Sequence, residues 1–164
     1  MTGAWIHAAF TAPHQREPWM QEALAQSDAL VAELQRADLI VAGVPMYNFN
    51  VPAQFKAYID NIVRVGLTFG FDRSRSGEPY WPLLTEQKKR LVLLSSRGDY
   101  GYASRIQHMN HVEPSVRTAF AYIGITDVHS VAIEYDEFAD SRLQDSIATA
   151  EAAVDALVTD LVRA

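Results

Sequence analysis

Three short strand candidates, the apolar runs at residues 39–44 and 91–94 and the segment 128–134, lie between longer segments with helical periodicity, and this alternation constrains the fold more than any other feature. An apolar run without polar alternation suits a strand covered on both faces, as in a parallel sheet. The first helical segment is 18–36. Pro18 suits a first helical position, and Met20, Leu24, Val31 and Leu34 fall on one face, widened by Leu30. A second, 53–65, groups Phe55, Ile59 and Ile62, and a third, 114–123, ends before Gly124, a natural C-cap. The last, 141–162, carries Leu143, Ile147, Ala150, Val154, Leu157 and Leu161 on its apolar face. The order helix–strand–helix–strand–helix–strand–helix predicts an α/β chain with right-handed crossovers. Residues 1–17 and the Gly-, Pro- and aromatic-rich connection 66–86 read as irregular.

Bulk properties narrow the chemistry. A length of 164 residues with 49% hydrophobic and 21% charged side chains predicts one globular domain over residues 1–164. A net charge of −6 disfavours nucleic acid and anionic membranes as partners. The absence of cysteine excludes disulfides, thiol catalysis and Cys-ligated metal centres. The first ten residues make a poor signal peptide, and the apolar runs are too short to span a bilayer, so the cytoplasm is the expected location.

In open α/β sheets, ligands bind outside the carboxyl ends of the strands. Two loops occupy that position, 45–52 and 95–102. The first, Pro45-Met46-Tyr47-Asn48-Phe49-Asn50-Val51-Pro52, combines a thioether, two aromatics and two amides between prolines. That mixture suits a flat heteroaromatic ligand with apolar faces and a polar rim. It equally suits a strand-to-helix turn whose aromatics plug the core and whose Asn48 or Asn50 caps the next helix. The second loop carries Gly98 and Gly101, where backbone can approach a ligand closely, and it reads as well as an ordinary polar turn.

Pro45 to Asn50, followed by Gln54, Lys56, Tyr58 and Asp60, resembles the PMYNF segment of the FMN-dependent NADH-azoreductase and NADH:quinone oxidoreductase family. Ser96-Arg97-Gly98 is similar to that family's SRGG segment, with Asp99 in place of the second glycine. Gly66-Leu67-Thr68-Phe69 resembles its GVTF stretch, and Gly124-Ile125-Thr126-Asp127-Val128 its GITDV junction. The likeness runs from about Glu22 to the C-terminus. Four such segments, in order and at compatible spacing, are far more specific than any one alone.

The resemblance implies a flavodoxin-like three-layer sandwich with a parallel sheet, one FMN per subunit and a homodimer. It implies a ping-pong transfer of two electrons from NADH to quinones or azo compounds, with the flavin carrying the chemistry and no side chain needed as acid, base or nucleophile. Met46, Tyr47, Asn48 and Phe49 would line the ring and ribityl chain. Ser96, Arg97, Gly98 and Asp99 would meet the pyrimidine end, where a carboxylate at Asp99 disfavours an anionic reduced flavin unless Arg97 or another cation offsets it. Phe71 and Tyr122 match aromatics that clamp the substrate.

Nothing in residues 1–20 resembles the family's N-terminal strand and Ser-rich phosphate loop, so the sandwich is expected to be N-terminally incomplete. Without three charge-assisted bonds to the phosphate, each contributing roughly 1.5–3 kcal/mol, FMN would bind about 10³-fold more weakly or worse. The strand at 39–44 would then show an apolar edge. A strand from residues 1–17 (where Trp5, Ile6, Ala8 and Phe10 alternate loosely), another chain, or a longer gene product could cover it. The alternative function is a degenerate flavodoxin-like dimerising protein that no longer binds FMN. A metal site at His108, His111 and Glu113 is weighed and disfavoured, because these residues precede Pro114 and suit a helix start. Ser95 and Ser96 sit in no GxSxG elbow, which disfavours a serine hydrolase. Arg73 and Arg75, beside aromatics, read as a solvated loop rather than a nucleic-acid contact.

Overall fold

The computed structural model describes residues 1–163. Contacts divide them into two units: Met1–Ile40, Ala53–Arg90 and Arg117–Asp127 form the first, and Val41–Pro52, Leu91–Val116 and Val128–Ala164 the second.

The first unit is mainly helical. Residues expected to be irregular, or to supply a covering strand, instead form helix α1 (Gly3–Phe10) and a short 3-10 turn (Pro13–Gln15). The hydroxyl of Thr2 caps α1 by accepting from the Trp5 amide at 3.2 Å. Three alanines also favour helix, which outweighs a loose apolar alternation. Ala8 and Ala9 pack with Met20 and Leu24 of α2 (Pro18–Arg36), and α2 in turn packs on α3 (Ala53–Ile62). Helix α3 stops three residues before the expected end. The Thr68 hydroxyl donates to the Ile62 carbonyl at 2.7 Å and accepts from the Arg64 amide at 2.8 Å, and Gly66 turns at φ +76°. That tight turn redirects the chain into β2 (Phe69–Phe71).

The connection 66–86 is irregular only in part. Strand β2 pairs antiparallel with β3 (Tyr80–Pro82), Gly70 facing Trp81. A Cβ on Gly70 would collide with the Trp81 indole, so glycine is what lets the ring lie across the hairpin. The aromatic content of this segment is hairpin packing that composition does not separate from loop.

Lys89 is 4% exposed, and its ammonium donates to the carbonyls of Gln35, at 2.8 Å, and Ala37 at the end of α2. A cation on terminal helix carbonyls satisfies orphan acceptors and complements the helix dipole. Lys89→Met should therefore cost about 1–3 kcal/mol, read as a melting point lowered by about 2–4 °C per kcal/mol. An unchanged melting point would show that water replaces the ammonium there without loss.

The second unit holds the sheet. Strands β1 (Leu39–Gly43), β4 (Arg90–Ser96) and β5 (Asp127–Ile133) run parallel in the order β1-β4-β5. They coincide with the apolar runs to within a residue or two at most ends. The β1–β4 ladder continues past the strand, with the Val44 amide donating to the Leu94 carbonyl at 2.8 Å and the Met46 amide to the Ser96 carbonyl at 2.8 Å. Leu91 and Leu93 are fully buried. Helix α5 (Ser141–Arg163) turns its expected apolar face toward the sheet. Ala150 and Val154 border a cavity of about 250 Å³ with Leu94, Val131 and Ile133. Strand β1 ends the sheet, and Leu39 and Val41 stay 42% and 60% exposed, the apolar edge expected for this strand.

Candidate functional site

At the carboxyl end of β1 the chain makes a two-residue turn. Asn48 and Phe49 both take positive φ, 47° and 70°, and Tyr47 and Asn50 exchange backbone hydrogen bonds at 2.9 and 3.1 Å. This is the signature of a type I′ turn, whose first central position favours asparagine. It leaves the rings of Tyr47 and Phe49 61% and 41% exposed, so neither plugs the core. The turn is pinned from behind. The His111 amide donates to the Phe49 carbonyl at 3.0 Å, and Asn50 Oδ1 accepts from the Val51 amide at 2.8 Å and the Ser115 hydroxyl at 3.4 Å.

Beside it, at the carboxyl end of β4, residues 97–99 pair with the segment after β5. The amides of Asp136 and Glu137 donate to the carbonyls of Arg97 and Gly98, both at 3.2 Å. The Glu137 side chain lies across Gly98, where a Cβ would collide with it. Glycine is required here for that close approach.

The two loops converge. Met46, Asn48 and Phe49 from the first, and Gly98, Asp99 and Tyr102 from the second, line one cavity of about 320 Å³ with Met109 and Glu137. That volume is within the range of small-molecule sites. Met109 and Glu137 were not anticipated. Glu137 follows β5, and the carboxyl-end rule extended to that third strand would have found it; Met109 carries no sequence signal.

Not every expected residue reaches the cavity. Tyr47 points to solvent, and Ser96 contributes its carbonyl to the Met46 amide. Arg97, expected at the ring's pyrimidine end, is 5% exposed with its guanidinium turned inward. Nη2 donates to Glu113 and Nη1 to Glu134 at 3.2 Å, and the group sits 5.4 Å from the Tyr102 ring centre. Burial pulls its pKa below the usual arginine value, and Glu134 opposes that pull. Glu134 also accepts from the amides of Gly101 at 2.8 Å and Tyr102 at 3.2 Å. Arg97 is therefore the anchor of a latch that shapes the second loop from within. Glu113, weighed above as a metal ligand, belongs to that latch.

Asp99 consequently lacks Arg97 as a counter-charge. Its neighbour is Arg105, with Nη2 3.5 Å from Oδ1 and both side chains about half exposed. The cavity wall carries the carboxylates of Asp99 and Glu137 and no cation among its lining residues. Tyr102 registers this, its phenol pKa pushed up first by burial and then by Asp99 and Glu137.

Phe71 and Tyr122 lie in the first unit, inside an aromatic cluster. Phe71 stacks on Tyr80 with centroids 4.8 Å apart, and Tyr122 packs on Phe69 at 5.1 Å. Tyr122 remains 39% exposed.

Comparison with known proteins identifies the family. A family described as having a flavodoxin-like fold matches residues 1–158, so the likeness begins at the first residues and not near Glu22. The chain is 45% identical over 154 residues to FMN-dependent NAD(P)H:quinone oxidoreductase 1 of Pseudomonas aeruginosa, covering 92% of this chain and 72% of that protein. It is 38% identical over 160 residues to FMN-dependent NADH:quinone oxidoreductase 2 of Colwellia psychrerythraea, covering 96% and 72%. The FMN complex of an FMN-dependent NADH-azoreductase from Bacillus anthracis superposes with a TM-score of 0.77 at 20% identity, over 96% of this chain and 74% of that one. The chain belongs to the flavodoxin-like family, among the relatives named FMN-dependent quinone oxidoreductases.

Proposed function

We propose that this protein is an FMN-dependent oxidoreductase that passes two electrons from NADH to quinones or azo compounds in a ping-pong cycle. The observation that carries the reading is the convergence of the 46–49 turn and the 98–102 loop, at the carboxyl ends of the adjacent strands β1 and β4, into one cavity. Curated relatives of 38–45% identity named for this activity support it.

The residues present fit the ring system of FMN, which when bound supplies the hydride-accepting and hydride-donating chemistry. Met46 and Phe49 offer soft and aromatic surface, Asn48 offers an amide, and Gly98 is part of the cavity wall with Glu137 lying across it. Tyr47 is an exposed flank, Ser96 fixes the first loop through its carbonyl, and Arg97 fixes the second through its pairs with Glu113 and Glu134. The residues lining this cavity give the phosphate little hold, since the wall is acidic. Asp99 and Glu137 also work against negative charge accumulating on a reduced ring. We further propose a single flavodoxin-like domain acting as a cytoplasmic homodimer, with Phe71 and Tyr122 as the substrate clamp and with neither nucleic acid nor membrane as partner. Among the described residues no helix is long and apolar enough to cross a membrane.

The test is direct. Purified protein titrated with FMN should develop a perturbed flavin spectrum and then oxidise NADH when menadione is added, and riboflavin should bind comparably to FMN. A sample that ignores FMN at millimolar concentration yet dimerises on gel filtration would support the second reading, a dimerising protein without flavin. The acidic cavity wall is the observation that favours that alternative.

A further inference from the structure

The first unit contains a cavity of about 440 Å³, and of its lining residues the flavin reading uses only Tyr122. Trp5 and Phe10 of α1, Arg64, Phe69 and Tyr122 are among its lining residues. Arg64 is fully buried. Its Nη1 is committed, donating to the Ser27 hydroxyl at 2.6 Å and lying 3.0 Å from Asp28 Oδ1. Its Nε and Nη2 have no hydrogen-bond partner, although both are buried, and the same is true of Trp5 Nε1. Buried donors are seldom left unpaired in native proteins. These three belong to side chains in contact, since the Arg64 guanidinium sits 5.5 Å from the centre of the Trp5 ring.

The pattern of free donors is selective. Nε–H and Nη2–H are parallel and share one edge of the planar guanidinium, the fork that a carboxylate accepts with both oxygens. A neutral carbonyl such as that of a quinone has one uncharged oxygen to share between them and makes the weaker contact. Apart from Asp60 the remaining wall is mainly apolar and aromatic, which suits a flat hydrocarbon ring. We propose that this cavity is a binding site for an aromatic carboxylate, its carboxylate on the free edge of Arg64 with help from Trp5 Nε1, and its ring among Phe10, Phe69 and Tyr122.

The surrounding charges agree. Asp60, the one carboxylate in the lining, is paired with Lys56. Arg16 lies close enough to act on Arg64 electrostatically and adds positive potential. Asp28 keeps Arg64 charged against the pull of burial, but is itself about half exposed and so leaves room for a second anion. Both ends of Arg64 are fixed: Nη1 is held by Ser27 and Asp28, and the backbone amide donates to the Thr68 hydroxyl.

Calorimetric titration of the full chain with 2-naphthoate, and with 2-naphthamide as its neutral match, tests the proposal. Saturable binding of the acid is expected, with the amide weaker by about tenfold or more. Arg64→Lys keeps the charge but removes the fork and should weaken naphthoate about tenfold. Trp5→Phe should weaken it less, removing a single donor. Should Arg64→Lys not fold, Phe10→Ala serves instead, because Phe10 is 62% exposed and its loss should reduce naphthoate affinity while leaving the melting point unchanged. Equal affinity for acid and amide, no saturable binding of the acid at millimolar concentration, or full affinity in Phe10→Ala would overturn the assignment.

Discussion

Arg97→Met is expected to lower the melting point by on the order of 10 °C. Removing one partner of a buried ion pair costs about 3–5 kcal/mol, because the remaining charges stay in a poorly solvated site. For a chain of this size each kcal/mol shifts the melting point by about 2–4 °C. The lower end of the range applies, since the Glu113 and Glu134 side chains are 15% and 21% exposed and water can reach them in part. The variant matters for function as well. Glu134 bridges Arg97 to the amides of Gly101 and Tyr102, so freeing it loosens the loop that supplies Gly98, Asp99 and Tyr102 to the cavity. FMN affinity should fall together with stability. Adding Glu134→Gln to Arg97→Met should recover part of the stability, because it removes one stranded charge while its single amide oxygen can still accept from one of the two backbone amides, which Glu134 holds on separate oxygens. A single variant that melts with wild type would show that the latch contributes nothing.

Gly124→Val carries the second large effect, about 3 kcal/mol or more. Two penalties combine. Gly124 has φ +106°, a conformation costing a β-branched residue about 1–3 kcal/mol. A Cβ there would also meet the Thr85 amide nitrogen at 2.6 Å and the Leu84 carbonyl carbon at 3.0 Å, which are backbone atoms with little freedom to move. Overpacking of that kind costs about 1–3 kcal/mol more. The close approach exists because the chain after α4 (Val112–Ile123) lies against the Leu84 to Thr85 segment, the Leu84 amide donating to the Ile123 carbonyl at 3.0 Å. Denaturant unfolding checks the value through the midpoint. Gly124→Ala should fall between wild type and valine, and equal midpoints for all three would refute the argument.

Gly124 shows how far a sequence reading carries. Its place after an apolar helical face marks a C-cap, and its positive φ agrees. Its contact with Thr85 is invisible in sequence, because nothing local records which distant backbone will pass a glycine. The same holds at Gly98, legible as a flexible position but not as the seat of Glu137. Arg97 is the clearest divergence. A cation in a loop at a strand end reads as a ligand-facing group, and only the fold supplies Glu113 and Glu134, 16 and 37 residues away, to draw it inward. The helix at Gly3–Phe10 and the hairpin within 66–86 are hidden in the sequence for a different reason. Short amphipathic helices and three-residue strands hold too few periods for pattern to outweigh composition.

The sequence by itself determined the alternation of buried strands and helices, the two loops that meet at the sheet's carboxyl end, and the family to which they point. Those properties reside in local periodicity and in short contiguous segments. The tertiary structure alone decided which polar groups face the cavity and which are spent inside the protein, that Asp99 and Glu137 make its wall acidic, and that Arg64 keeps an unpaired fork under Trp5. Charge pairing and burial depend on residues far apart in the chain, and their partners are named only once the chain has folded.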